Sequence, residues 1–467
     1  MSTTSQTVTI SGQIARRNSP IFWGRITINK ESGLIAKVEK VQGLRADYQF
    51  GPACFIFAGF GDVHIHARED QTGKQNYKET YKTAADAALH GGVVHVCAMP
   101  NTPSPVVGEG ELVWHRGWVH ELGHPVSVLN YIGIDKKTRP IGRKGQYPYK
   151  LYFGKSVGSL TVTYASELDE ILARYRDEHV SFHVEYEPIV QASAAGRTHS
   201  DRRPVACVNE GLRLLLPLIE KHGVKAKLCH WSTGGESFKL IREYRRRGCD
   251  IVLEASPLHL FFDTTMTDRN PLLWTKIQMN PAVQGPEHRM ALIKGLKEGF
   301  IQFLATDHAP HTEEEKFAAF AEFSQRYPGK TNKEIAAAIR ADDFVLFDET
   351  CVKNNMSGAP WLDTYAIVCS WLIREHEFTT QDIARVAAHE PGKFVSRFLQ
   401  SQFPGRDFGK GFGDIAKGYV GSLTVLNTKK PTTVHRNDLM TKVKWSPLEG
   451  LTLPGSVEAI FIEGKRY

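Results

Sequence analysis

The chain lacks the features that mark several classes of protein. Its seven cysteines are odd in number and scattered, and no two of them form a Cys-x-x-Cys pair. A disulfide framework is therefore not expected, and a reducing compartment is. The first 17 residues contain no apolar segment of the kind that a secretory signal needs, and no run of 18 residues is apolar and free of charge. These absences predict a soluble, cytoplasmic protein with no membrane partner.

A large excess of charge of one sign is also missing. The chain has 58 basic and 51 acidic residues, a net charge of +7 over 467 residues. Its two dense basic runs, Arg202–Arg203 and Arg245–Arg247, carry no interleaved aromatic residues, so we interpret them as solvated surface. Nucleic acid is not expected as a partner, and the mild positive balance permits a small anionic substrate.

The two ends of the chain share one pattern. Thr7–Ile14 near the start and Val457–Ile462 near the end are rich in β-branched and apolar residues, and alternation with a period of two is typical of half-buried strands. We predict that residues 1–55 and 415–467 together build one small β-sandwich domain, with the rest of the chain inserted between them.

The middle of the chain has a different pattern, in which a helix is followed by glycine and then by a short apolar run. Asn209–His222 is such a helix, Gly223 ends it, and Ala226–Cys229 is the run that follows. Glycine commonly ends helices, and repeated units of this kind indicate a parallel sheet with helices outside it. Over residues 56–414 the pattern predicts an α/β fold, a TIM-like (β/α)8 barrel with insertions.

Polar residues that can hold a metal follow several of the predicted strands. His64 and His66 are two apart, so in an extended strand they point the same way. An isolated His-x-His more often lines a polar loop. Three further candidates, however, also stand at strand ends, where such barrels carry their active sites: His183, His230 and Asp307. Four imidazoles and a carboxylate form a ligand set suited to zinc.

Lys150 lies inside the apolar run Tyr149–Phe153. A charged lysine that points into a barrel without a partner is costly, and burial near metals lowers the pKa of the amine. A neutral amine can react with carbon dioxide to give a carbamate that bridges two cations. The alternative is a lysine whose stem is buried and whose ammonium reaches solvent, and the run alone favours that alternative.

Six short motifs together resemble the dihydroorotases, members of the cyclic amidohydrolase superfamily, and the resemblance extends over most of the chain. The strings His-x-His-x-Arg, Met-Pro-Asn-Thr and Asp-His-Ala-Pro-His, in that order, are the most specific of them. The six motifs are Asp62–Arg68, Met99–Thr102, Tyr149–Tyr152, His230–Thr233, Asn280–Pro281 and Ala305–His311. Trp445–Gly450 is similar to the closing motif of the family.

The resemblance implies a binuclear zinc centre, with two Zn²⁺ per subunit. His64, His66 and Asp307 would hold one ion, His183 and His230 the other, and the CO₂-derived carbamate on Lys150 and a hydroxide would bridge them. Asp307 would be the catalytic residue, acting as general base and then as general acid. The implied reaction is the reversible cyclisation of N-carbamoyl-L-aspartate to (S)-dihydroorotate in de novo pyrimidine biosynthesis.

Arg68 is the residue that bears most on substrate choice. The substrate of the family carries a carboxylate, which a guanidinium binds bidentately. Asn101, Asn280 and His311 match the positions that assist it in the family. Relatives that act on hydantoins, dihydropyrimidines or allantoin share the metal ligands, but we do not expect them to share this arginine. The alternative reading of Arg68 is a structural salt bridge.

The sequence also departs from the family pattern. A long segment, residues 317–356, separates two family motifs, and the helical and charged character of Lys333–Asp342 predicts an insertion folded over the barrel mouth. Trp361 stands where the family tends to have glycine, beside the expected substrate. The alternatives are therefore a related cyclic amidohydrolase, resembling hydantoinase, dihydropyrimidinase or allantoinase, and a non-catalytic homologue that acts as a scaffold. The resemblance further suggests a homodimer and an association with other enzymes of the pyrimidine pathway.

Overall fold

The structure, a computed structural model, describes residues 6–40, 43, 45–155, 159–196, 198–267, 270–339, 346–347, 350 and 356–467. Strands from both ends of the chain form one mixed sheet of eight strands. These strands are β1 Thr7–Arg16, β2 Ser19–Asn29, β3 Ile35–Lys40, β4 Tyr48–Gln49, β5 Cys54–Ala58, β15 Leu423–Asn427, β18 Ser456–Ile462 and β19 Lys465–Arg466. β5 pairs with β1 on one side and with β15 on the other, so the two chain ends meet at this strand.

The middle of the chain forms a closed barrel of parallel strands. Its strands are β6 Phe60–Ile65, β7 Val93–Ala98, β8 Ser127–Asn130 with its continuation β9 Ile132–Gly133, β10 Pro148–Phe153, β11 His179–Val184, β12 Lys225–Leu228, β13 Ile251–Ala255 and β14 Phe303–Leu304. Each pairs in parallel with the next. A parallel bridge between Ile65 and His308 joins the last strand to the first. The predicted (β/α)8 barrel with a smaller β-domain built from both ends is confirmed.

The barrel is closed by a buried side chain as well as by backbone pairing. Asp62 on β6 is fully buried and accepts hydrogen bonds from the backbone N–H and the hydroxyl of Thr306, just after β14. The same carboxylate accepts the N–H of His64 at 3.1 Å. This contact sets the ends of the first and last strands side by side.

Helices cover the outside of the barrel and its two ends. The helices of the described residues are α1 Tyr81–His90, α2 Glu109–Leu122, α3 Ala165–Arg174, α4 Glu187–Ala192, α5 His199–Arg202, α6 Val205–His222, α7 Glu236–Arg246, α8 Pro257–Phe261, α9 Thr264–Thr267, α10 Pro271–Ile277, α11 Pro286–Lys297, α12 Glu313–Lys316, α13 Ala318–Phe323, α14 Asn332–Ala338, α15 Tyr365–Glu375, α16 Thr380–Ile383, α17 Glu390–Ser396 and α18 Leu399–Gln402. A π-helical stretch spans Ala384–His389, and 3₁₀ turns lie at Ser324–Arg326, Leu362–Thr364 and Arg436–Asp438. A short hairpin pairs β16 Thr432–Thr433 with β17 Thr452–Leu453. Within the described ranges, no helix is long and apolar enough to span a membrane.

The insertion has a small hydrophobic core of its own. Aromatic and aliphatic side chains from α13, α14 and the residues beyond pack against Trp274 on α10, apart from the main core. The members of this cluster, which we call the insertion cluster, are Trp274, Phe320, Phe323, Ile335 and Phe347. The helical part of the predicted segment Lys333–Asp342 is present as α14, and residues 340–342 lie outside the described residues.

One buried histidine makes the stability of the barrel depend on pH. The His95 side chain on β7 is fully buried against Phe412, and neither ring nitrogen has a hydrogen-bond partner within the described ranges. Burial lowers the pKa of His95 to about 3. The unfolded chain therefore binds a proton here that the folded chain does not, so stability is present in full above pH 6.5 and is lost as the pH falls towards 3.

We predict that His95→Leu flattens this dependence. The wild type should lose about 2 kcal/mol of unfolding free energy through this one group between pH 7.5 and pH 5.0, given a shift of this size. Urea unfolding at the two pH values measures the difference, which His95→Leu should reduce by that amount. The exposed His120→Leu serves as the control and should leave it unchanged. An unchanged pH dependence in His95→Leu would contradict the assignment.

Candidate metal and carboxylate site

Most of the predicted site residues line one cavity at the carboxyl ends of the barrel strands. Eight of the ten do so: His64, His66, Arg68, Asn101, His183, His230, Asn280 and Asp307. Tyr152, Met279, Ala309, Ser357 and Gly358 complete its wall. The other two predicted residues, Lys150 and His311, are buried without lining it. The topology therefore gathers residues that lie more than 200 positions apart in the chain.

Two histidines and one carboxylate form the first half of the site. Nε2 of His64 and Nε2 of His66 each lie 3.1 Å from the same oxygen, Oδ1 of Asp307. Burial alone would raise the pKa of Asp307, but the two histidines outweigh burial and hold it well below its ordinary value. The ligand atoms of these three residues all lie within 4.8 Å of one another, which is the arrangement that a shared cation requires.

A carboxylate that the sequence pattern did not predict lies behind His64. Glu254 on β13 is buried, and its Oε1 contacts Nδ1 of His64 and accepts the backbone N–H of His230 at 3.0 Å. Its other oxygen is paired with the buried ammonium of Lys227. Burial opposes the charge on Glu254, and Lys227 and then His64 overcome it and lower the pKa. Metal-bound histidines usually donate their second ring N–H to such a carboxylate, which fixes the tautomer and the ring.

His183 and His230 form the second half of the site. Nδ1 of His183 lies 3.0 Å from Nε2 of His230, and burial lowers the pKa of both rings, so both are neutral at pH 7. The far nitrogen of His183 is 3.1 Å from Oε2 of Glu185, which Arg203 holds at 2.7 Å. Glu185 therefore supports His183 in the way that Glu254 supports His64, and each histidine keeps one nitrogen for the cavity.

Lys150 reaches the base of the site from β10. Its side chain is fully buried, and its Nζ has no hydrogen-bond partner among the residues that the structure describes. The ring of Tyr152 is 4.9 Å away. An amine buried without partners is unfavourable for folding unless something else satisfies it, so the alternative of a lysine that reaches solvent does not apply.

Three residues of the site have left-handed backbone conformations. Arg68, His230 and Asp307 have φ angles of 60°, 34° and 49°. Such angles are unfavourable for residues with a side chain and are concentrated at functional sites, where the surrounding structure enforces them. In each case the chain bends directly after a barrel strand and turns the side chain towards the cavity.

Arg68 and His311 are linked by one buried contact. Nη2 of Arg68 lies 3.2 Å from Nε2 of His311. The other ring nitrogen, Nδ1, lies 3.1 Å from Nζ of Lys78 and 3.3 Å from Oε2 of Glu315. Lys78 neutralises that carboxylate at 2.8 Å. Burial lowers the pKa of His311 to about 3, so the ring is neutral and holds Arg68 from behind.

Trp361 does not lie in the wall of the cavity. Its ring is fully buried and packs 6.2 Å from the ring of Phe262, and its backbone N–H donates to Nδ1 of His308 at 3.1 Å. In this structure it supports the turn after β14.

The donor set is of a kind that binds metal ions. His64 and His66 direct ring nitrogens at Asp307, and two neutral histidines face each other. The Lys150 amine, which has no hydrogen-bond partner among the described residues, acts electrostatically on histidines of both groups. Glu254 and Asp307 together raise the pKa of His64 against the effect of burial, and the field that favours a proton on this ring equally favours a metal ion. Nitrogen and oxygen ligands of this kind suit zinc.

The chain is similar to curated dihydroorotases over most of its length. The chain is 26% identical to dihydroorotase from Pyrococcus furiosus over 440 residues, which cover 94% of this chain and 87% of the relative. It is 29% identical to dihydroorotase from Bacillus subtilis over 427 residues, 88% of this chain and 86% of the relative. No family model matches the chain.

Solved structures show the same fold. L-hydantoinase (dihydropyrimidinase) from Arthrobacter aurescens has a TM-score of 0.76 at 19% identity and covers 98% of this chain and 95% of its own. Dihydropyrimidinase from Brevibacillus agri has a TM-score of 0.74 at 18% identity, with 98% and 94% covered. The resemblance predicted from the motifs is confirmed over most of the chain.

We predict that Glu254 supports metal binding without contacting the metal. Glu254→Gln should lower the affinity for zinc about 10- to 100-fold, as loss of such orienting carboxylates does. This substitution leaves the buried Lys227 ammonium without its carboxylate partner. The double variant Lys227→Met/Glu254→Gln therefore replaces the single variant in the test if the single variant does not fold. Zinc competition with a chromophoric chelator measures the affinity. Glu220→Gln, which removes only a surface pair with Arg247, is the control, and an affinity equal to that of the control would rule out the role.

Proposed function

We propose that this member of the cyclic amidohydrolase superfamily is a dihydroorotase, which interconverts N-carbamoyl-L-aspartate and (S)-dihydroorotate. The observation that carries the proposal is the state of Arg68. Its guanidinium is buried in the cavity wall, it forms no ion pair within the described ranges, and its Nε has no hydrogen-bond partner there. A buried cation without a counter-ion calls for an anion from outside the chain, and dihydroorotate carries a carboxylate.

The absence of an ion pair within the described residues also argues against the structural alternative for Arg68. A salt-bridging arginine would face Asp or Glu, whereas Arg68 faces neutral His311 on one side and the cavity on the other. Asn101 and Asn280 line the same cavity and can add hydrogen bonds to the carboxylate or to the ring carbonyls. Bidentate pairing of a guanidinium and a carboxylate would fix the orientation of the ring against Asp307.

The metal centre that we propose is binuclear. His64, His66 and Asp307 would hold one zinc ion, His183 and His230 the other, and Lys150, as its carbamate, would bridge them. When bound, two zinc ions polarise an amide carbonyl and lower the pKa of water, so that a strong nucleophile exists at neutral pH. The Lys150 amine is buried and has no hydrogen-bond partner among the described residues, which supports its role as the bridge.

Asp307 is placed to move the proton in both directions. In ring opening, an oxygen of water forms a bond to the amide carbonyl carbon, and Asp307 takes the proton of that water. The carbon–nitrogen bond then breaks, and the proton passes from Asp307 to the leaving nitrogen. Its low pKa means that the resting carboxylate is ionised, which is the form that a general base requires. Cyclisation is the same sequence in reverse.

The remaining elements of the proposal concern the surroundings of the enzyme. We place it in the cytoplasm, as a homodimer that associates with other enzymes of pyrimidine biosynthesis and acts on a small anionic substrate. A non-catalytic scaffold is disfavoured because all six metal-ligand candidates are present.

A substrate panel separates the proposal from the related activities. With zinc bound, the wild type should open dihydroorotate in preference to dihydrouracil, hydantoin and allantoin, which lack its carboxylate. Arg68→Met should lower kcat/KM for dihydroorotate about 100-fold, since each hydrogen bond to a charged group contributes roughly 1.5–3 kcal/mol. Arg25→Met, in the terminal sheet, should not. Turnover of an uncharged ring but not of dihydroorotate would show that the enzyme is another cyclic amidohydrolase. A native protein that binds no zinc and opens none of these rings would favour the scaffold.

Lys150 has a test of its own. Lys150→Ala should lose zinc and activity together, because the bridge between the two cations is removed, and short carboxylic acids added to the buffer should restore part of both. Zinc analysis and the ring-opening assay measure the two quantities. Lys225→Ala, at the opposite end of the barrel, is the matched control. Unchanged zinc content and rate in Lys150→Ala would remove this lysine from the site.

A further inference from the structure

Asn280 presents an amide whose orientation decides what the cavity can bind. It lies between α10 and α11 and lines the cavity together with Arg68 and Asp307. The oxygen and the NH₂ group of an amide have nearly the same shape, so only the hydrogen bonds decide which of them faces a substrate. An NH₂ group directed into the cavity would bind a carbonyl or a carboxylate, and an oxygen would bind an N–H.

His199, a residue that neither the motifs nor the proposed mechanism uses, contacts this amide. Nε2 of His199 lies 3.1 Å from the backbone oxygen of Met279 and 3.2 Å from Oδ1 of Asn280. The backbone oxygen can only accept, so Nε2 of His199 must carry a proton. A protonated Nε2 cannot accept from an NH₂ group, and the atom of Asn280 that faces it is therefore the oxygen.

The NH₂ group of Asn280 is left facing the cavity. Its nitrogen makes no hydrogen bond to any residue of the described ranges, whereas the oxygen is used by His199. Burial, and then the nearby Arg203, lower the pKa of His199 to about 4, so at pH 7 the ring has a single proton, and the Met279 carbonyl holds that proton on Nε2. The Met279 carbonyl therefore fixes the tautomer of His199, and His199 in turn fixes the orientation of the Asn280 amide in the cavity wall.

Trp274, which packs against the insertion, also contacts His199. The imidazole meets the ring of Trp274 edge to face, with centroids 5.9 Å apart and an interplanar angle of 89°. Trp274 is itself buried in the insertion cluster, next to Phe347. On the other side, Thr198 and Asp201 cap the short helix α5 that begins at His199. A segment that departs from the family pattern is thus linked by one aromatic ring to a residue of the site.

We infer that His199 is a positioning residue that fixes the Asn280 amide with its NH₂ group towards the cavity, so that this part of the site binds an oxygen atom of the substrate. The inference deepens the proposed function, since in dihydroorotate that oxygen belongs to the carboxylate or to a ring carbonyl. It does not depend on which cyclic amide the enzyme opens, because each of these rings carries carbonyl oxygens.

The tautomer can be tested without any substrate. In protein labelled with ¹⁵N-histidine, His199 should show a protonated Nε2 and an unprotonated Nδ1 at pH 7, its signals being assigned by their loss in His199→Phe. The same pattern should persist down to about pH 5. A proton on Nδ1 alone, or on both nitrogens at pH 7, would overturn the inference whatever the activity of the enzyme.

A double-mutant cycle then tests the effect on the site. His199→Phe keeps a ring against Trp274 but removes the N–H, and it should raise KM about tenfold with kcat changed less than threefold. His199→Gln, which can still donate to Met279 and Asn280, should recover most of the loss. In an Asn280→Ala background, His199→Phe should have no further effect. His222→Phe, which removes a buried histidine paired with Asp169 far from the cavity, is the matched control.

The double-mutant cycle uses whichever substrate ring the wild type opens in the panel. The dihydroorotase proposal and the proposed role of His199 can therefore fail independently of each other. Turnover of dihydrouracil alone would end the dihydroorotase proposal and leave the coupling of His199 and Asn280 measurable. Effects of the two substitutions that simply add up, or a His199→Phe variant that behaves like His222→Phe, would overturn the role of His199. If no ring is opened, the labelled histidine spectrum alone decides.

Discussion

The site depends on one buried carboxylate oxygen. Oδ1 of Asp307 lies 3.1 Å from ring nitrogens of both His64 and His66, at the point where the first and last barrel strands meet. Removing these groups from water is unfavourable, and they are stabilised by one another, by Glu254 behind His64 and by the cation that they can share. The barrel holds His64, His66 and Asp307 together, because Asp62 joins the ends of the two strands, where these residues lie.

Behind this group lies a second set of buried charges. Lys227 pairs with Glu254, Glu254 contacts His64, and Arg203 pairs with Glu185 next to His183. Glu254 uses one oxygen for Lys227 and the other for His64, whereas Oε2 of Glu185 faces both Arg203 and His183. In both cases the charge of the carboxylate is compensated. Ligands held in this way keep their geometry without help from the metal. On the substrate side, His311 contacts Arg68 and His199 contacts Asn280, so these two residues of the cavity wall are held from behind.

Much of this arrangement could be predicted from the sequence, for identifiable reasons. In the sequence, the strands of a parallel barrel appear as short apolar runs. A histidine or aspartate at the end of such a run, such as His230 or Asp307, is therefore predicted to lie at the mouth of the barrel. Glu254 and Lys227 were not predicted because a single charged residue inside a short apolar strand does not mark a functional position. The usable signal was their opposite charge on adjacent strands, in a run expected to be buried. His199 gave no local signal, since its partner Asn280 is 81 residues away. His311 was expected from its motif to assist Arg68, but its position behind the guanidinium, outside the cavity wall, could not be read from the sequence.

The central proposal is that Arg68, which forms no ion pair within the part of the chain that the structure describes, stands beside a group of metal-binding side chains and selects an anionic substrate. The most direct measurement is cyclisation by the zinc-loaded enzyme of two open-chain compounds that differ by one carboxylate, N-carbamoyl-L-aspartate and N-carbamoyl-β-alanine. The account predicts a kcat/KM at least about 100-fold higher for the aspartate derivative, on the strength of hydrogen bonds between charged groups. Equal values, or a preference for the β-alanine derivative, would contradict it.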